Sequence, residues 1–188
     1  LNRNKRLRLD LFEEKKLLDL INKNKSEHEK IGFLMMYYGG VRPEDVLRMK
    51  WENVDWQTET LNFISTKIDH KVESSHPLPI HSKLLPILRN KWLEREKPIS
   101  GFIIESTSNP GKAFNQGYLT KKWKNMVIGT EFENYDLYTL RHNFISKLLS
   151  QGVHTLEVAQ LAQTSEKMIA QTYAKFLISD RKKSIELI

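Results

Sequence analysis

The stretch Leu137 to Gly152 constrains the fold more than any other part of the chain. Phe144, Ile145, Leu148 and Leu149 repeat at helical spacing and demand an apolar surface to pack against. Gln151-Gly152 closes the pattern, as Gly does just past a helix C-terminus. Tyr138 precedes Arg141 by three positions, so a hydrogen-bonding group and a guanidinium share one face of this helix. Taken alone, Arg141 reads as a solvated helix arginine. Partners elsewhere in the chain would change that.

The 188 residues and 39% hydrophobic content suit one domain, or one domain with arms. Lys and Arg number 30 against 23 Asp and Glu, a net charge of +7 that suits an anionic partner such as nucleic acid. The absence of Cys excludes disulfides and Cys-ligated zinc or iron-sulfur sites. The longest apolar run, Ile31 to Val41, is too short to span a bilayer, and no secretory signal is visible.

Residues 1–9 carry Arg3, Lys5, Arg6 and Arg8 with little that can pack, so they read as a basic arm or linker, or as a disordered end. Asp10 and Glu13 form a capping box that starts a helix at Leu11, with Leu11, Phe12, Lys15, Leu17, Leu18 and Ile21 as its apolar side. Residues 29–38 are apolar almost throughout, which predicts a buried helix. Gly39-Gly40 then turns the chain, Pro43 suits a first helical turn, and Glu44 and Asp45 favour its positive end. Arg42 therefore stands at a helix N-terminus, where backbone N–H groups attract anions, although it can also pair with Asp45.

Residues 60–66 alternate as a strand, and 74–80 resume extended structure with Pro77 and Pro79 confining it to an edge. The polar turn between them holds Lys67 and Lys71. Helices are expected over 84–96 and 118–127. The second carries Lys121, Lys122 and Lys124 away from its apolar face, towards phosphates or solvent. A further helix over 155–162 precedes one capped by Thr164 or Ser165, with Met168, Ile169, Tyr173 and Phe176 on one stripe. Tyr173 by itself reads as a half-buried core aromatic. Arg181-Lys182-Lys183 forms a basic tail.

In order and spacing these features resemble the catalytic domain of the tyrosine recombinase (phage integrase) family, over about residues 10–178. That family writes Thr-Gly-x-Arg-x-x-Glu-x-x-x-Leu-x-Trp where this chain has Gly40, Arg42, Asp45, Met49 and Trp51. It writes His-x-Leu-Arg-His where this chain has Tyr138, Leu140, Arg141 and His142. Its Leu-x-Gly-His-Ser-x-x-x-Thr-x-x-x-Tyr aligns on Leu161, Gln163, Thr164, Ser165 and Tyr173, so Tyr138 and Thr164 stand in for family histidines. The family's hairpin lysine falls at Lys67, with Lys71 a rival.

The resemblance implies a mainly helical α+β fold with a small antiparallel sheet. It implies residues 1–9 as an arm or linker from an N-terminal DNA-binding domain and 10–188 as the catalytic domain. It also implies a C-shaped grip on duplex DNA. A first residue of Leu1, not Met, suits a piece of a longer protein. The activity implied is site-specific DNA recombination through a 3′-phosphotyrosine intermediate. Tyr173 would be the nucleophile, and Arg42, Lys67, Tyr138, Arg141 and Thr164 the rest of the catalytic set. Arg3, Lys5, Arg6, Arg8, Lys71, Lys121, Lys122 and Lys124 would contact DNA. No metal or other cofactor is required, because side chains supply the cations.

Implied partners are duplex DNA, further copies of the chain (a tetramer on DNA, a monomer or weak oligomer when free) and accessory DNA-bending proteins. The implied location is the cytoplasm of a bacterium, host- or phage-encoded, at the nucleoid. A type IB topoisomerase-like enzyme and a DNA-binding protein without catalysis stand as alternatives.

Overall fold

A computed structural model describes residues 8–62, 77–106 and 108–174. Lys67, Lys71, Arg3, Lys5, Arg6, Phe176 and the tail Arg181-Lys182-Lys183 lie outside the described residues.

The fold is mainly helical with a small sheet. Helices α1 (Leu11–Asn22), α2 (Glu27–Gly39) and α3 (Pro43–Arg48) lead into a 3-10 turn, Trp51–Asn53. Strands β1 (Val54–Asp55), β2 (Thr60–Leu61) and β3 (Leu78–Pro79) follow. Then come α4 (Leu85–Glu94), α5 (Tyr118–Val127), α6 (Tyr138–Ser150), α7 (Thr155–Leu161) and α8, described over 166–174. The sheet is antiparallel in the order β1-β2-β3, with Thr60 opposite Pro79 and Leu61 opposite Leu78. Pro79 thus sits on an edge strand, where its missing N–H removes no ladder bond. Among the described residues, no helix is long and apolar enough to cross a membrane.

The α2 helix is the centre of the molecule. Ile31, Phe33, Leu34, Met35 and Met36 are all buried, so every face meets protein, and its main partner is α6. It stops at Gly40, whose left-handed backbone (φ 62°) lets its N–H bond back to the Met36 carbonyl.

The helix α6 bridges two apolar clusters. Leu140 belongs to the large core around α2, whereas Ile145 and Leu149 join Val158, Ala159, Ala162, Ile169 and Tyr173 in a second one. A buried polar chain locks α1 onto the outer side of α6. Leu9 N donates to Asn143 Oδ1 at 2.9 Å, Asn143 Nδ2 donates to Glu14 Oε1 at 2.7 Å, and Lys147 Nζ lies 2.9 Å from Glu14 Oε2.

Local signals held where they were caps. The Asp10/Glu13 box is present at α1, Pro43 opens α3, and Ser165 Oγ accepts from Met168 N at the start of α8. Leu11, Phe12 and Lys15, expected on the apolar side of α1, are exposed, the first two at 84% and 65%. Phe12 precedes Ile21 by nine positions, two and a half turns, which puts it on the opposite face. Met168 is likewise exposed while Ile169 and Tyr173 are buried, because the one-residue offset turns its side chain out of the second cluster.

Candidate active site

Three chain segments converge at the α6 N-terminus: the α2–α3 turn, the first turns of α6, and the α7–α8 loop with α8. Arg141 joins them. Its guanidinium is buried, with Nη1 donating to the Gly40 carbonyl and Nη2 to the Ala162 carbonyl at 2.6 Å. One planar fork thus holds the end of α2 and the end of α7 in fixed relation. Burial, and next the nearby charge of Arg42, push the Arg141 pKa down to about 10, so it stays cationic at neutral pH.

Arg42 occupies the N-cap position of α3 without a side-chain capping bond, and Pro43 in the first turn fixes the entry. Its Nη1 lies 3.6 Å from Asp45 Oδ2. The ion pair open to Arg42 in the sequence is therefore present, but it is not the whole of its environment. Arg42 acts on Arg141, and Asp45 feels both arginines. Burial nevertheless outweighs these cations and raises the Asp45 carboxyl pKa. Two guanidinium groups and one costly carboxylate make a basic patch that an anion would relieve.

Tyr138 sits on the rim of the patch, half-buried, with its hydroxyl donating to Glu44 Oε2 at 3.4 Å. Burial, and then the Glu44 charge, raise its pKa, while Arg141 and Arg42 pull the other way. Tyr173 enters from α8. It is only 4% exposed, and its hydroxyl lies 2.5 Å from Nδ1 of His142. Burial pushes its pKa up to about 12, against an opposing pull from Arg141. Thr164 is half-buried, two positions beyond the carbonyl that Arg141 holds, and its N–H donates to the Ala159 carbonyl at 2.9 Å.

Arg42, Tyr138, Arg141 and Tyr173 are therefore in one electrostatic neighbourhood, with Thr164 at its edge. Arg8, Lys121 and Lys124 are exposed. Lys122 is tied to Glu29 at 3.0 Å and lies over the Tyr118 ring, so it also serves the α2–α5 contact. The placement of Lys67 and Lys71 lies outside the described residues.

Several participants escaped the sequence reading. His142 stood in the quoted motif with no role assigned, although its place beside Arg141 was the available signal. Nothing local marks Glu44 as the Tyr138 partner. Gln163 is buried with φ 49°, a left-handed backbone usual for glycine, at the position where the resemblance writes Gly.

Comparison with known proteins bears on the family and the fold. The model of the phage integrase family matches residues 7–177. A tyrosine recombinase XerC-like protein of Caldanaerobacter subterraneus subsp. tengcongensis is 20% identical, covering 96% of this chain and 54% of the relative. The chain thus spans about half the length of that relative. Among solved structures, the XerH site-specific recombinase bound to its difH substrate superposes with a TM-score of 0.68 at 18% identity. That match covers 87% of this chain and 49% of XerH. The Tn1549 transposon integrase in complex with transposon right end DNA gives 0.70 at 14% identity, covering 96% of this chain and 65% of the integrase. These likenesses are likenesses of fold.

Proposed function

The chain belongs to the phage integrase family, and we propose that it is the catalytic part of a site-specific DNA recombinase that cleaves and rejoins strands through a 3′-phosphotyrosine. The observation that carries this reading is that buried Arg141 holds the Gly40 carbonyl, two residues before Arg42, so two arginines 99 positions apart share one neighbourhood beside the buried Tyr173. Arg141 also ties the ends of α2 and α7, and Arg42 also pairs with Asp45, but two guanidinium groups in one neighbourhood repel each other. A phosphodiester under attack would offset that repulsion, because its nonbridging oxygens gather charge in the transition state.

In this reading Tyr173 attacks phosphorus and holds the 3′ end as an ester, which stores the bond for rejoining. Arg42 and Arg141 hold the nonbridging oxygens, and Tyr138 donates a further hydrogen bond there, with Thr164 close by. Lys67 gives the departing 5′ oxygen its proton, with Lys71 as its rival. Arg3, Lys5, Arg6, Arg8, Lys71, Lys121 and Lys124 meet duplex phosphates, and Lys122 does so at the expense of its Glu29 pair.

Strand exchange between two duplexes calls for several copies of the chain, as a tetramer on DNA, with accessory bending proteins as further partners. The working location is the cytoplasm, at the nucleoid. The solved relatives named above are a recombinase and an integrase, so the topoisomerase-like alternative is not favoured.

The test is covalent trapping on a nicked suicide substrate. The enzyme should form a protein–DNA adduct at Tyr173. Tyr173→Phe should abolish the adduct while leaving DNA affinity nearly unchanged. An adduct at Tyr135, Tyr138 or another residue overturns the assignment.

A further inference from the structure

Resting on the reading of Tyr173 as nucleophile, we infer that His142 is the general base that takes the phenolic proton as Tyr173 attacks phosphorus. The two side chains meet at the reacting atom itself: Nδ1 of His142 lies 2.5 Å from the Tyr173 hydroxyl, with ring centroids 5.7 Å apart. Both residues are buried.

The phenol needs such a partner. With its pKa pushed up to about 12, only about one molecule in 10⁵ is ionised at pH 7. Burial also keeps bulk water from taking the proton. Arg141, the cation acting on Tyr173, remains protonated and has no lone pair to offer. Neutral imidazole with its proton on Nε2 presents a lone pair at Nδ1, and its ordinary pKa lies near neutrality. His142 follows Arg141 on α6, so one helical turn fixes both the oxyanion clamp and the base.

The step balances. The Oη–H bond breaks and an Nδ1–H bond forms as Oη bonds to phosphorus. The P–O5′ bond then breaks, and the 5′ oxygen leaves with the proton given by the lysine acid. Rejoining by a 5′ hydroxyl runs these transfers backwards. His142 becomes cationic only as the phosphoryl group gathers negative charge, so the two new charges form together beside Arg42 and Arg141.

His142→Asn keeps an oxygen acceptor near the Nδ1 position but takes up no proton. In single-turnover cleavage it should be slower by about 100-fold or more. Replacing Tyr173 by a fluorinated tyrosine, a more acidic phenol, should recover most of that loss, because less proton removal is needed. A substrate with sulfur at the bridging 5′ position needs no acid, since a thiolate leaves unprotonated. It should restore Lys67→Ala or Lys71→Ala but not His142→Asn.

His142→Gln provides a second variant should the Asn form fold poorly. Loss of DNA affinity in step with cleavage in both, unrecovered by fluorination, makes His142 a packing residue and overturns the proposal. Recovery of His142→Asn on the sulfur substrate puts His142 on the leaving-group side and also overturns it. An adduct at Tyr173 with wild-type rates in His142→Asn overturns this proposal alone. An adduct at another residue overturns the nucleophile reading with it.

Discussion

Arg141 donates from Nη1 to the carbonyl of Gly40, across 101 positions of chain. The contact depends on Gly40 having no side chain. Its backbone is left-handed, and a Cβ there would stand 2.4 Å from Cδ1 of Phe144, one turn along α6 from Arg141. The residue that ends α2 thus sets both the reach of the guanidinium and the position of the helix carrying it.

Gly40→Ala should therefore cost both stability and activity. The strained φ and the forced shift of the Phe144 ring together cost about 2–3 kcal/mol. Thermal unfolding should show a Tm lower by several degrees. Cleavage should fall further than DNA affinity, because Arg141 loses its anchor while the surface cations stay. An unchanged Tm would mean that the turn absorbs the methyl group.

Arg141→Lys keeps the charge and loses the fork. Lysine cannot donate to the Gly40 and Ala162 carbonyls and a phosphate in one plane. Cleavage should drop by about 100-fold or more, as for loss of an oxyanion donor. Bulk DNA affinity should change little. Single-turnover rates beside filter-binding affinities separate the two.

Tyr173 gives a prediction for alkaline stability. Its folded pKa is about 12 against an ordinary value of 10. Folding therefore favours the protonated phenol, and its contribution is fully present below about pH 10. It is lost as pH rises towards 12, because the unfolded chain ionises first. The pKa difference corresponds to at most about 2–3 kcal/mol. Tyr173→Phe should unfold less steeply with pH between about 10 and 12 in urea titrations. Equal slopes for the two proteins would show that Tyr173 is as accessible as an ordinary phenol.

What could be read from the sequence divides by range. Caps and breakers act over a few residues, so Asp10 with Glu13, Pro43 and Gly152 announced helix ends that the structure places within a residue or two. Strand β1 has only two residues, too few for any alternation to register. Arg42 and Arg141 were legible as a pair only through family spacing, because α2 packing on α6 brings them together and no local pattern encodes that. The His142 contact was further out of reach: its partner arrives on α8, after another helix and a left-handed turn at Gln163. The exposed Met168 shows the same limit, since an apolar residue one step off the stripe is indistinguishable from one on it by composition.

Tyr138 stands where the resemblance writes histidine, and its chemistry can be tested directly. Its hydroxyl now donates to Glu44 at 3.4 Å, a long bond on the rim of the arginine patch. A phosphate oxygen held by Arg42 and Arg141 would be a better acceptor, because the transition state concentrates charge there. The phenol pKa is raised by burial and Glu44, so the hydroxyl remains a neutral donor at every physiological pH. Tyr138→Phe removes only this donor and should slow cleavage by about 100-fold with DNA affinity retained. Tyr138→His should keep activity and introduce a dependence on pH between roughly 5.5 and 7.5, where imidazole titrates. Glu44 would raise that midpoint and the two arginines would lower it. Adding Glu44→Gln to Tyr138→His should therefore move the midpoint towards acid. Single-turnover rates across that range, for wild type and the three variants, decide the matter. If Tyr138→Phe cleaves at the wild-type rate, the hydroxyl serves Glu44 alone and Tyr138 leaves the active site.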